Sequence, residues 1–272
     1  MKIPMSVGMV GAGKISPDLA KLVGHRGLLG PVKASSLRVA SRIANQIKAG
    51  RAVASWTDLA QCDLILISMP DAEIRAVLAS AADAPVKWRG KAFVLFGSSL
   101  DSADMHAISL CGAACATFEK MEGFASNRFA LEGDPIAVRE MRRFLKFAGA
   151  TSRELVAGKK PLYSAGKAFA GMLFTPIVEA TVDCFRKAGL APQDAVAYAE
   201  ACFLQTLRAY RKAGKQGWGG PLAEQDSEAV NRLLLALVAD NPLLVNYFAH
   251  TSRLALDVFG HDKEWLEKLE NA

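Results

Sequence analysis

The sequence predicts an α/β domain built on a doubly wound parallel sheet, residues 1–155, followed by an all-α domain, residues 156–272. Three observations carry this. Up to about residue 150, short β-like runs alternate with helical stretches, the order that a parallel sheet with right-handed crossovers requires. Two of the runs, 63–68 and 92–96, are almost continuously apolar, as strands buried on both faces are. Beyond about Leu155 the strand signals vanish and helical patterns follow one another.

The elements read in order as follows. Residues 6–10 form a strand that ends in glycines, and 17–23 a helix. Residues 32–35 predict a second strand, and 37–49 a helix capped by Gly50. A third strand is expected at 52–54. The run 63–68 stops at Pro70, 72–82 is helical, and the strand 92–96 ends in Gly97-Ser98-Ser99. Gly158-Lys159-Lys160-Pro161 reads as a hinge. Helices are expected at 164–187, 192–212, 227–239 and 242–259, parted by Gly189, by 214–221 and by Asn241-Pro242.

Of the 272 residues, 51% are hydrophobic and 22% charged, a globular composition that excludes disordered, collagen-like and coiled-coil chains. The net charge of +6 is scattered, and its densest cluster (Arg139, Arg142, Arg143, Lys146) has the spacing of a solvated helix face. Such a charge suits an anionic nucleotide, and no nucleic-acid partner is expected. The cysteines are Cys62, Cys111, Cys115, Cys184 and Cys202. They form no CxxC pair and no Cys/His cluster of zinc spacing, so no metal site is expected. Cys111 and Cys115 read as buried thiols, and the odd count fits a reducing cytosol. No signal peptide is evident, and no apolar run approaches the ~18–20 residues that span a bilayer, so a cytoplasmic protein without a membrane partner is expected.

The most informative stretch runs from Gly8 through Gly11-Ala12-Gly13-Lys14-Ile15 to Ser16, between the first strand and the first helix. Gly11 permits a tight turn, and Gly13 lets the backbone approach a pyrophosphate. The helix N-terminus then offers N–H groups and a partial positive charge. The third glycine of the usual fingerprint is Ser16 here. A Rossmann-like dinucleotide site is expected at Gly8, Gly11, Ala12, Gly13, Lys14 and Ile15. The second strand ends without an acid, in Ser35-Ser36-Leu37-Arg38, with Arg42 one turn further on. Two hydroxyls and two arginines favour a 2′-phosphate, hence NADP over NAD. Exposed helix residues with no ligand would look the same.

The run ending in Ser68-Met69-Pro70-Asp71 resembles the fourth-strand ending of pyrroline-carboxylate reductase and of relatives of 6-phosphogluconate dehydrogenase. Residues 129–134, Tyr163-Ser164-Ala165 and Gly220-Pro221-Leu222-Ala223 with Asp226 resemble a bacterial NADP-dependent oxidoreductase family. That family has a Rossmann-like N-terminal domain and a helical C-terminal domain like that of 6-phosphogluconate dehydrogenase. The resemblance covers nearly the whole chain. It implies cofactor contacts at Ser68, Met69 and Pro70, and a homodimer through the helical domain, which is also unusually rich in Leu, Ala and Phe. Glu119-Lys120 stands where the family has His-Pro, Ser164 where it has histidine, Met172 for asparagine, Gly219 for threonine, and Glu224-Gln225 for Arg-Gly.

Tyr163 and Lys167, four residues apart, share a helix face. Their string is similar to the Tyr-x-x-x-Lys pair of short-chain dehydrogenases, but the glycine spacing and the Ser68-Met69-Pro70-Asp71 ending are not. In hydroxyacid dehydrogenases the catalytic lysine lies on the first long helix after the hinge, where Lys167 lies. Lys167 is therefore the expected proton donor and Tyr163 the second candidate. Ser98 and Ser99, past the fifth strand, are placed to touch the nicotinamide ribose or the substrate, or to cap a helix. Asp226 reads as an N-cap. The histidines His25, His106, His250 and His261 lie far apart and read as structural. The expected activity is hydride transfer between the nicotinamide and a small polar metabolite, an oxo or hydroxy acid or an imine, in an interdomain cleft. The alternative is a nucleotide-binding sensor or interaction protein without turnover.

Overall fold

The computed structural model describes residues 5–24, 28–124 and 126–260, so His25 and His261 lie outside the described residues. Residues up to Lys167 form one compact unit and those from Ala168 a second. The first unit holds eight strands: β1 (Val7–Gly11), β2 (Leu29–Lys33), β3 (Arg51–Val53), β4 (Leu64–Ser68), β5 (Ala92–Phe96), β6 (Ala114–Lys120), β7 (Arg128–Gly133) and β8 (Thr151–Glu154). They form one sheet in the order β3-β2-β1-β4-β5-β6-β7-β8. Every neighbouring pair is parallel except β6–β7. The first six strands follow the doubly wound order expected of a Rossmann-like sheet.

Helices α1 (Pro17–Gly24), α2 (Leu37–Ile47), α3 (Asp71–Ala82), α4 (His106–Leu110) and α5 (Pro135–Phe147) cover the two faces. Alternation along the strands divides the core. Leu64 and Leu66 of β4 and Val94 of β5 pack on one side with α1, α2 and α5. Ile65, Ile67, Phe93 and Leu95 pack on the other with α3, α4, Trp56 and Trp88. The basic cluster lies on α5, with Arg142 paired to Glu154 and Arg139 and Arg143 to Glu140.

Several expectations are corrected. Three strands, β6, β7 and β8, follow β5 where the sequence pattern predicts none. The loop from β6 to β7 is too short for a crossover helix, so β7 turns back antiparallel. Gly133 then sits at φ 138 with its absent Cβ aimed at the Cys115 carbonyl, 2.4 Å away, where no other residue fits. Strand β2 begins three residues earlier than expected. Helix α2 is capped by Lys48 in the left-handed region (φ 59), whose N–H donates to Ala44 and Asn45, and not by Gly50. Cys111 is only half-buried, whereas burial pushes the thiols of Cys62 and Cys115 up to about 11 and about 12. His106 and His250 are exposed, and His250 Nδ1 contacts the Asn246 carbonyl one turn back.

The helix expected at 164–187 is two, α6 (Lys160–Ala170) and α7 (Thr175–Lys187), because Pro176 cannot donate within a continuous helix and instead starts a new one. The stretch Lys160–Lys187 has the length and apolar composition of a membrane-crossing helix, but it is divided at residues 171–174 into α6 and α7. The second unit continues with α8 (Pro192–Ala213), α9 (Ser227–Asp240) and α10 (Pro242–Phe259). Asp226 does cap α9, accepting from Ala229 N at 3.0 Å. Little of this unit is buried. Ala195, Ala199, Val230, Leu234 and Leu256 are its buried apolar residues, while Leu207, Tyr210, Leu235, Val238, Leu243 and Leu254 are exposed.

Candidate functional site

The carboxyl ends of β1, β4 and β5 open on a cavity of about 410 Å³. Lys14 to Pro17 line it from the glycine loop, Ser68 to Pro70 from the end of β4, and Phe96-Gly97 from the end of β5. Ala12 N donates to the Ser68 carbonyl at 3.4 Å, which ties the loop to β4. The glycines differ in what they do. A Cβ on Gly8 would lie 2.5 Å from Leu59 and 2.8 Å from Cys62 Sγ, so Gly8 lets β1 pack closely in the interior. A Cβ on Gly11 would meet Ile43 at 2.9 Å and Ile15 at 3.2 Å, which brings α2 against β1. Gly13 stands at φ 111 with nothing nearer than Val39 at 3.4 Å, so conformation and not space requires glycine there. Ile15 is buried in the core, while Ala12 and Lys14 are exposed. Ser16 caps α1 through Leu19 N, and Asp18 in the first turn pairs with Lys120 at 2.7 Å.

Ser36 caps α2, accepting from Val39 N at 3.3 Å. Ser35, Arg38 and Arg42 are exposed. Among the described residues no carboxylate pairs with either arginine, and the first turn of α2 holds no acid. These residues fit a 2′-phosphorylated dinucleotide: a glycine loop open at Gly13, a cavity at the strand ends, and two arginines beyond β2.

A second cluster stands at the end of β6. Glu119 lies one register position past the end of β5, with its side chain 12% exposed. Lys167 Nζ, on α6, is 3.1 Å from Glu119 Oε2 and 5.8 Å from the centre of the Tyr163 ring. Glu119 Oε1 is buried without a hydrogen-bond partner among the described residues. Burial, and after it the negative charge of Glu119, raises the Tyr163 phenol above its ordinary pKa. Lys120, next along the strand, points to the other face and to Asp18.

The loop that follows β5 is held by charged groups. Asp71, at the start of α3, accepts from Ser98 Oγ at 2.6 Å, from Ser99 N at 3.0 Å and from Ser99 Oγ. Burial raises its carboxyl, but the hydrogen bonds from Ser98 and Ser99 outweigh this and hold it below the ordinary value. Lys160 Nζ donates to the carbonyls of Ser98 (2.7 Å) and Leu100 (2.6 Å). Glu132 accepts from Ser102 Oγ (2.7 Å), Ser102 N (3.0 Å) and Gly158 N (3.0 Å). Ser98 is thus bound within the protein through its hydroxyl. Sequence reasoning gave no site role to Asp71, Glu132 or Lys160, which it met only within the Ser68–Asp71 ending, the stretch 129–134 and the hinge string, and it noted Glu119 only as a departure. Lys160 could have been found: with Tyr163 and Lys167 it completes an i, i+3, i+7 face.

No family model matches the chain, and a search of curated proteins finds no match. Solved structures do resemble it. A Bacteroides fragilis protein described as a candidate NADP oxidoreductase is 14% identical, with a TM-score of 0.69 over 93% of this chain and 98% of that one. An imine reductase from Myxococcus stipitatus in complex with NADP⁺ is 16% identical, with a TM-score of 0.67 over 97% and 99%. A reductive aminase from Aspergillus terreus in complex with NADPH and ethyl-5-oxohexanoate is 17% identical, with a TM-score of 0.57 over 98% and 91%. The chain therefore has the fold of these oxidoreductases.

Proposed function

We propose that the chain is an NADP-dependent reductase whose substrate carries a C=N bond. The observation that carries this is the buried, unpartnered Oε1 of Glu119 beside Tyr163 and Lys167. A buried carboxylate oxygen without a donor is costly, and a ligand N–H removes that cost. An oxo acid would instead bring a second carboxylate to Glu119. The nearby lysines are already engaged: Lys167 by Glu119, Lys120 by Asp18, and Lys160 by two carbonyls. A protonated imine fits this charge balance better. The complexes named for the imine reductase and the reductive aminase support the same choice.

When bound, NADPH supplies the hydride that reduces the C=N carbon. Lys167 or Tyr163 protonates the imine nitrogen, and Glu119 accepts the resulting N–H and stabilises its charge. Lys14 and the amides of residues 13–15 would hold the pyrophosphate, and Arg38 and Arg42 the 2′-phosphate. The test is NADPH consumption by the purified chain with a small cyclic imine or an α-oxo acid at equal concentration. Turnover of the imine is expected; turnover of the oxo acid alone would overturn the reading.

Two further outcomes follow. Replacing both Arg38 and Arg42 by alanine should weaken NADPH binding about ten- to hundred-fold with NADH binding unchanged, since a hydrogen bond to a charged group contributes about 1.5–3 kcal/mol. An unchanged NADPH/NADH ratio would remove the 2′-phosphate assignment. The exposed apolar residues of the helical unit fit a second copy of the chain. Sedimentation at micromolar concentration should give about twice the chain mass of 29.1 kDa, and a monomer would exclude the dimer. The five free thiols fit a cytoplasmic enzyme.

A further inference from the structure

Two charged side chains of the first unit, Lys160 and Glu132, are each only 1% exposed. They do not neutralise one another through a hydrogen bond or ion pair. Each instead grips the loop after β5: Lys160 at the carbonyls of Ser98 and Leu100, Glu132 at Ser102. Each also ties to the start of α6, Lys160 as its first residue and Glu132, from β7, by accepting from Gly158 N just before it. Burying a lone ammonium is expensive, and an apolar side chain of the same length would be the more stable choice at a purely structural position. Lys160 shares its helix face with Tyr163 and Lys167.

We infer that Lys160 is a positioning residue, which locks the loop 98–102 to the first turn of α6 so that Tyr163 and Lys167 stand at a fixed place over Glu119. The inference rests on the proposed reductase for its catalytic consequence, but the coupling of loop to helix can be measured without turnover. Burial lowers the Lys160 pKa, against the opposing charges of Glu119, Glu132, Asp71 and Asp101, consistent with an ammonium held by dipoles and not by a direct carboxylate partner.

The experiment uses the full chain with Lys160→Met, which keeps length and removes all donors. Thermal unfolding, NADPH affinity, imine kinetics and backbone hydrogen exchange are measured on parent and variant. The melting temperature should fall by no more than about 4 °C. NADPH affinity and KM should stay within about threefold, while kcat falls about 10–100-fold, because a misplacement of about 1 Å has that effect on an aligned site. Exchange should rise together in 97–102 and 160–167. Lys160→Gln, which keeps a shorter donor, should recover part of both effects, and it carries the same readouts if the methionine variant does not fold. Unchanged kcat, or exchange that stays at the parental level in either segment, would overturn the inference. If the parent reduces no imine, the proposed function fails, and the exchange of the two segments alone decides whether Lys160 couples them.

Discussion

Lys167→Met is expected to lower imine turnover about 10²–10⁴-fold, the range for loss of a general acid, with NADPH affinity within about threefold of the parent. The amine stands 3.1 Å from Glu119 Oε2, at the carboxyl end of β6, the end of the sheet at which the proposed cofactor site opens. Its side chain is 52% exposed, so methionine should cost little stability. The measurement is kcat beside NADPH affinity and unfolding temperature. A drop in kcat alone fits proton delivery, whereas a loss of NADPH binding would place Lys167 at the cofactor. Unchanged turnover would leave Tyr163 as the donor. In that case Tyr163→Phe should abolish the activity. Because the phenol pKa is raised, its donating form persists to higher pH, so the alkaline loss of rate should lie above the ordinary tyrosine value of ~10.

Neutralising Glu119 tests the other half of the pair. Glu119→Gln keeps a hydrogen-bonding side chain but removes the charge that favours a cationic nitrogen. The expected result is a higher KM for the imine and a lower pKa for Tyr163, since part of the rise in that pKa comes from Glu119.

What the sequence revealed depended on how local each signal is. The runs that became β4 and β5 were legible because both faces are buried and no polar residue interrupts them. Strand β6 was not, because Ala114, Cys115 and Ala116 lack the branched and aromatic side chains that mark a strand. Strand β8, Thr-Ser-Arg-Glu, is an edge strand with no buried residue and therefore no alternation to read. Tyr163 and Lys167 were legible because helical spacing alone places them on one face. Glu119, the partner of Lys167, is 48 residues away, and the contact of Lys160 with Ser98 spans 62. Such pairings are set by sheet order, which the alternation of strands and helices suggests only up to the point where β7 turns back. Lys160 was further obscured by its place in a Gly-Lys-Lys-Pro string, which has the composition of a hinge.

Gly13→Val should remove NADPH binding, with Kd rising at least about a hundredfold, roughly 2.7 kcal/mol, while the chain stays folded. The two glycines of the loop separate binding from stability. At Gly11 an added Cβ would press on Ile43 and Ile15 inside the core, so Gly11→Val should lower the unfolding temperature. At Gly13 only Val39 is near, at 3.4 Å, and the penalty is the φ of 111, about 1–3 kcal/mol for a side chain held there. A domain with a typical stability of about 5–15 kcal/mol survives that. The cofactor does not escape so easily. The valine would stand where the pyrophosphate approaches the loop amides, and a relaxed φ would turn those amides away. Gly13→Ala should lie between parent and valine. The readout is the rise in unfolding temperature on adding NADPH, since a ligand at a hundred times its Kd stabilises by about 2.7 kcal/mol. The parent should show the full rise and Gly13→Val none, from unfolding baselines that otherwise match. Equal shifts in the two proteins would move the dinucleotide away from the glycine loop, and the assignment of the cavity beside Ser68 and Gly97 would go with it.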